Sequence, residues 1–125
     1  MKMYSEDHVW AECRGGTCTL GVTSYAADEL GEVTFVELPD IGASFSPGDA
    51  LCVVESVKAA SDVICPVGGT VTAVNVNLEE APNLINANPE KEGWICRLEE
   101  VDTAEIDTLM TDEEYDLFIE GGLEE

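Results

Sequence analysis

The chain predicts a mostly β fold with short helices, a small barrel or sandwich closed by a helical tail, and three observations carry that prediction. β-Branched, apolar runs of strand length recur along the first hundred residues, as at 17–22, 51–54 and 70–76. Turn signals punctuate them: Gly15-Gly16, Pro39-Asp40-Ile41-Gly42, Ser46-Pro47-Gly48-Asp49 and Pro66-Val67-Gly68-Gly69. Apolar residues at helical spacing dominate only after residue 101. Many short strands with frequent turns indicate a barrel or sandwich rather than a parallel sheet. At 125 residues the chain suits one domain, residues 1–125, with a core over about 4–100 and C-terminal helices over about 102–120.

Taken in order, residues 8–13 and 17–22 read as two strands around Gly15-Gly16, a dipeptide suited to a primed two-residue turn because both residues accept positive φ. In that register Cys13 stands opposite Cys18. Cytosolic disulfides are rare, which favours two small strand residues; a cross-strand redox pair, and with it a redox enzyme, is the alternative. Thr23 or Ser24 caps a helix over 25–30 that Gly31 ends in a left-handed conformation. Residues 32–38 read as a strand with Val33, Phe35 and Val36 available to the core. Ser46-Pro47-Gly48-Asp49 has the Pro and Gly placement of a type II turn. Residues 75–89, rich in Asn, Pro and acidic side chains, read as an irregular surface loop. Residues 93–98 form the closing strand, with Trp94 a core or rim aromatic. Asp102-Thr103-Ala104-Glu105 and Thr111-Asp112-Glu113-Glu114 have the form of capping boxes opening two short helices, and Gly121-Gly122 begins a frayed end.

The charge is lopsided, with 27 acidic against 5 basic residues and a formal net charge of -22. Nucleic acid and anionic membranes are excluded as partners, because counterion release needs a basic footprint. Met1-Lys2-Met3-Tyr4 runs into charged residues without an apolar stretch, and no run approaches membrane-spanning length, so a cytoplasmic protein is expected. One histidine and five cysteines without a CxxC pair argue against a metal site. Cys52, Cys65 and Cys96 lie in apolar strand patterns and read as small core residues. No nucleophile-base-orienter set emerges, since the single His8 has no partner evident in the sequence.

The chemistry gathers at Glu55-Ser56-Val57-Lys58-Ala59-Ala60-Ser61-Asp62. Two strand-like runs flank this segment, which lifts Lys58 onto a hairpin tip with its amine toward solvent. A generic exposed lysine is the plain reading; a lysine presented for covalent modification is the other. Glu55-Ser56-Val57-Lys58-Ala59, then Ser61-Asp62-Val63 and Pro66-Val67-Gly68-Gly69-Thr70-Val71, closely resembles the lipoyl-attachment segment of glycine cleavage H proteins. Asp7-His8-Val9-Trp10, Gly21-Val22-Thr23, the run 30–39, Ala81-Pro82-Asn83-Leu84-Ile85-Asn86 and Gly93-Trp94-Ile95 resemble further landmarks of that family in the same order, over roughly residues 4–120.

The resemblance implies the barrel-sandwich hybrid fold of lipoyl and biotinyl domains. It implies lipoic acid carried covalently on Lys58, with Glu55, Ser56, Val57 and Ala59 recognised by a lipoate ligase or lipoyl-transfer enzymes. Biotinyl domains normally flank their lysine with methionines, whereas Val57 and Ala59 stand here, which argues for lipoyl over biotin. The cofactor would supply the chemistry and the protein attachment, reach and shelter, so no enzyme is expected. Asp62 matches a carboxylate of the family's sheltering cleft, where Asp7 and His8 are also expected. The family's glutamate before the tryptophan is absent, Val9 standing in its place, and Tyr25 occupies a position where histidine is common. These departures lean the reading toward a divergent branch of H-like lipoate-binding proteins that carry sulfur for a heterodisulfide-reductase-like sulfur-oxidation complex. The alternative is a glycine cleavage H protein moving an aminomethyl group from glycine decarboxylase to the aminomethyltransferase. Dihydrolipoyl dehydrogenase is the expected reoxidant.

Overall fold

The computed structural model describes residues 2–120. Nine strands and five short helices follow one another among them: β1 (Lys2–Tyr4), β2 (Val9–Arg14), β3 (Thr17–Val22), α1 (Ser24–Leu30), β4 (Val33–Glu37), β5 (Ser44–Phe45), β6 (Ala50–Ser56), β7 (Ala60–Ile64), β8 (Gly69–Val74), α2 (Asn77–Glu80), α3 (Leu84–Ala87), β9 (Cys96–Glu99), α4 (Thr103–Ile106) and α5 (Asp112–Ile119). They form two antiparallel sheets, one of six strands in the order β1-β2-β3-β9-β8-β5 and one of three in the order β4-β6-β7. The small sheet carries the lysine hairpin. The core includes Val9, Ala11, Leu20, Val54, Val67, Val71 and Leu98, all at most 1% exposed. Among the described residues no helix is long and apolar enough to cross a membrane.

The first hairpin forms in the expected register, with Cys13 paired to Cys18, but only Gly15 takes a positive φ (58°). One left-handed residue at the first corner satisfies a primed turn. The two cysteines are joined as a disulfide, which corrects the reading of them as unlinked small residues. Facing positions on a tight antiparallel pair bring the two side chains together, and the hairpin's own register supplies that closeness. Cys52, Cys65 and Cys96 are free and buried, as expected.

Three further expectations need correction. Phe35 is 51% exposed while Val33 and Val36 are buried, because the β4–β6 ladder slips between Val33 and Phe35. The irregularity breaks strict alternation, so residues 33 and 36 share the inner face. The segment expected to be an irregular loop holds α2 and α3, and Leu78 and Ile85 are fully buried beneath it. Of the two capping boxes only the second closes: Thr111 Oγ1 accepts from Glu114 N–H while Glu114 accepts from Thr111 N–H. At the first, Asp102 caps Ala104 N–H, but Glu105 turns away to accept from Gly68 N–H at 2.9 Å. The type II turn at Ser46–Asp49 forms as read, with Gly48 at φ 92°. Gly121-Gly122 lies outside the described residues.

The C-terminal helix makes a second, aromatic cluster. Tyr115 of α5 stacks on Tyr4 at 4.8 Å between ring centroids, Trp10 is buried beside them, and Trp94 and Phe118 pack around the group. Trp10 Nε1–H donates to the carbonyl of Pro89 at 3.0 Å, satisfying the one polar atom of an otherwise apolar side chain. This cluster fixes the turn from which Asp7 and His8 project.

Candidate functional site

Lys58 sits at the tip between β6 and β7, exposed to solvent. Ser56 knits the tip together. Its Oγ accepts from the N–H groups of Lys58 and Ala59 at 3.2 and 3.3 Å, and its own N–H donates to the carbonyl of Ala59 at 2.9 Å. Val57, 64% exposed, donates its N–H to the carbonyl of Glu32 at 3.0 Å, which ties the tip to the junction of α1 and β4. The lysine is therefore presented on a braced turn rather than a loose one. Among the described residues the only salt bridge is Lys2 with Glu90, so Lys58 forms none.

The amine does not project straight outward. Lys58 Nζ donates to the carbonyl of Glu29 at 3.4 Å, at the C-terminal end of α1 where unpaired carbonyls attract a cation. Its side chain crosses Gly31, which has φ 75° and ψ -154°. That is an extended mirror-image conformation, not the left-handed helical one expected, and it is essentially confined to glycine. Asn86 holds the junction from below: Oδ1 accepts from Val33 N–H at 2.9 Å and Nδ2–H donates to the carbonyl of Gly31 at 2.7 Å.

A cavity of about 230 Å³ opens along α1, lined by Asp7, His8, Val9, Val22, Tyr25, Ala26, Glu29, Leu30, Val54, Ser61, Asp62 and Val63. Its floor is apolar and its rim carries three carboxylates, from Asp7, Glu29 and Asp62. The fold thus brings Asp7, His8 and Asp62 to one cavity whose far edge, Glu29 and Leu30, adjoins Lys58. Glu55, Val57 and Ala59 stay on the hairpin outside it, and Cys13 and Cys18 do not line it. Asp7 lies in the turn between β1 and β2, not along a strand, so it reaches the rim from a tip where its N–H donates to Ser5 Oγ.

His8, without an evident partner in the sequence, has one in the fold. Its Nδ1 lies 2.7 Å from the hydroxyl of Tyr115, which is itself 2.8 Å from Thr23 Oγ1. His8 has φ 66°, a conformation uncommon for a residue with a β-carbon, and Tyr25 packs on its ring at 4.7 Å. The chain of hydroxyls therefore locks an imidazole beside the cavity. Burial raises the Tyr115 phenol above its ordinary pKa, against the opposing pull of its hydrogen bond with Thr23, so it stays a neutral phenol.

Glu29, Ser61 and Tyr115 escaped the sequence reading. Glu29 could have been found, because it lies four residues after Tyr25 on the same helix face; Tyr115 could not, because 107 residues separate it from His8.

The two antiparallel sheets, with a lysine exposed at the tip of a braced β-hairpin, have the architecture of a carrier domain of the lipoyl type. The family model for glycine cleavage H-protein matches residues 2–121. The chain is 47% identical over 116 residues to a glycine cleavage system H protein of Phenylobacterium zucineum, covering 93% of this chain and 96% of that one. It is 44% identical over 114 residues to one of Listeria monocytogenes, covering 91% of each. The crystal structure of a glycine cleavage system H protein from Mycobacterium marinum superposes with a TM-score of 0.83 at 31% identity, covering 96% of both chains. The chain belongs to the glycine cleavage H-protein family, and it is a non-catalytic carrier with that family's two-sheet, lipoyl-domain-like fold.

Proposed function

We propose that the protein is a glycine cleavage H protein in which Lys58 bears a lipoyl group. The observation that carries this reading is the carboxylate rim of the cavity beside Lys58, formed by Asp7, Glu29 and Asp62. An aminomethyl cargo ends in an ammonium, and carboxylates at a groove of reduced dielectric favour a cation, whereas a persulfide cargo would be repelled by them. The names of the relatives point the same way. Val9, buried where the family's glutamate stands, and Tyr25, where histidine is common, are the departures that favour the sulfur-carrying branch. The three rim carboxylates weigh against it.

The residues fit the lipoyl group. The apolar floor formed by Val9, Val22, Leu30, Val54 and Val63 suits an acyl chain, and the polar rim suits what the chain carries. The bound group would supply a disulfide that accepts cargo as it opens. Ser56 orders the tip for a lipoate ligase or lipoyl-transfer enzyme, with Glu55, Val57 and Ala59 as the surface it reads. Asp62 and Asp7 draw the cargo's positive charge into the cavity, and His8 fixes one wall. Glycine decarboxylase loads the carrier, the aminomethyltransferase unloads it and dihydrolipoyl dehydrogenase reoxidises it. All of this takes place in one domain, residues 1–125, in the cytoplasm.

The test is the intact mass of the lipoylated protein after incubation with glycine and glycine decarboxylase. An aminomethyl mass increment that is absent from Lys58→Arg is expected. No increment, while an authentic H protein gains one in parallel, would favour the sulfur-carrying reading, to be pursued with thiosulfate and persulfide donors.

A further inference from the structure

The cavity has two ends, and the proposed function uses its apolar floor and the charge around its rim but not the difference between those ends. Lys58 Nζ marks one end, at Glu29 and Gly31. Tyr25 marks the other, in the first turn of the same helix. Gly31 stands six positions after Tyr25, roughly 9 Å along a helix axis. A saturated acyl chain of several carbons attached at the amine spans a comparable distance, roughly 9 Å. Whatever the chain carries at its tip therefore comes within range of the aromatic end.

That end is built, not incidental. The Tyr25 ring lines the cavity and packs against His8 at 4.7 Å, and His8 is fixed in turn by the Tyr115 hydroxyl at 2.7 Å. Tyr25 is 37% exposed, so a ring that packs on His8 on one side stays open to a ligand on the other. Its neighbour on the wall, Val9, is 1% exposed and apolar, so no charged side chain occupies that position. An aromatic face attracts a cation within about 6 Å of its centroid, and partial desolvation strengthens the attraction.

Resting on the aminomethyl-carrier reading above, we infer that Tyr25 is a specificity-determining residue of the cleft, its ring receiving the cargo's ammonium where Val9 leaves no carboxylate. The rim carboxylates bias the cavity toward positive charge, and Tyr25 fixes where the charge rests. Water removes the cargo by breaking its C–S and C–N bonds, giving thiol, formaldehyde and ammonium with no change of oxidation state. A cation held on the ring is withdrawn from that attack.

The experiment compares wild type, Tyr25→Phe and Tyr25→Leu, each lipoylated and loaded from [2-13C]glycine by glycine decarboxylase. The decay of the loaded mass is followed in buffer, and the labelled methylene is observed by NMR. A neutral S-acetyl cargo on the reduced arm is followed in parallel. Wild type and Tyr25→Phe are expected to hold the aminomethyl cargo equally, and Tyr25→Leu to lose it roughly threefold to fivefold faster. The methylene protons should lie upfield in the two aromatic proteins relative to Tyr25→Leu, and S-acetyl decay should not differ among the three. Equal aminomethyl lifetimes and shifts would overturn the inference, as would Tyr25→Leu speeding the loss of both cargoes alike. A wild-type protein that never loads would overturn the carrier reading itself, a result distinguishable from either of these.

Discussion

Lys58 lies across Gly31 so closely that a β-carbon on residue 31 would stand 3.2 Å from Lys58 Cε. Two residues 27 apart in sequence thus share one small space, and the glycine's conformation and its missing side chain both serve the lysine. Replacing Gly31 by alanine asks a residue with a β-carbon to hold φ 75° and ψ -154°. We expect Gly31→Ala to lose about 1–3 kcal/mol of stability in urea denaturation. The same substitution should slow lipoylation of Lys58, followed by mass. Unchanged stability and modification rate would contradict the role given to Gly31.

Asn86 spans the same junction with one donor and one acceptor. Asn86→Ala leaves Val33 N–H and the Gly31 carbonyl without this partner, and about 1–3 kcal/mol should be lost. Asn86→Asp keeps the acceptor for Val33 but sets a carboxylate against the Gly31 carbonyl, so it should be no better than alanine. Guanidinium titration of the three proteins checks the order.

The Tyr115 hydroxyl joins His8 to Thr23, while its ring stacks on Tyr4. Tyr115→Phe removes the bridge and keeps the stack, so a loss of about 1 kcal/mol is expected. The His8 ring resonances should shift and broaden in NMR spectra as the imidazole loses its anchor, whereas distant core signals stay in place. An unmoved His8 would show that the bridge does not hold it.

The small sheet's lysine hairpin, the turn chemistry and the cysteine register were all legible in the sequence, because each depends on neighbours within a few residues. Three features were not. Phe35 faces out because a bulge interrupts the ladder, and a bulge leaves no mark in a β-branched run. Residues 75–89 look like a loop by composition, yet burying Leu78 and Ile85 makes short helical turns worthwhile there. The His8–Tyr115 pair depends on α5 packing back against the first strands, which no local pattern encodes. Within the site the charged rim was partly visible in Asp7 and Asp62, and Glu29 was within reach of the helical spacing from Tyr25, four residues before it.

Burial pushes the Cys52 thiol up to about 12, with the neighbouring Cys65 thiol adding to the effect. Cys65 is likewise pushed up to about 12 by burial and by Asp49, and burial raises Cys96 in the same direction. A raised folded pKa means that the unfolded chain ionises first. The contribution is therefore complete below about pH 8 and falls away as pH rises from there toward 12. Urea midpoints should drop steadily between pH 8.5 and 10.5 on the usual scale, more so than in a variant with Cys52, Cys65 and Cys96 all replaced by alanine. Equal slopes in the two proteins would contradict this.

The Cys13–Cys18 disulfide closes a loop of only a few residues. Its reduction should cost about 2 kcal/mol in the chain-entropy picture. In denaturant without reductant three thiols should react with a thiol reagent, and five after reduction, since Cys52, Cys65 and Cys96 are the free ones. Five reactive thiols without reductant would contradict the bond. A Cys13→Ser, Cys18→Ser protein that still carries cargo would dispose of a redox role.

The carrier role of Lys58 is tested most directly by modification itself. Wild type and Lys58→Arg are expressed in a lipoylation-competent host supplied with lipoate, and the intact masses are compared, with a streptavidin blot to exclude biotin. Wild type should gain one lipoyl group and Lys58→Arg none, with no biotin on either. A lipoyl increment on Lys58→Arg, or an unmodified wild type beside a modified H-protein control, would contradict the assignment.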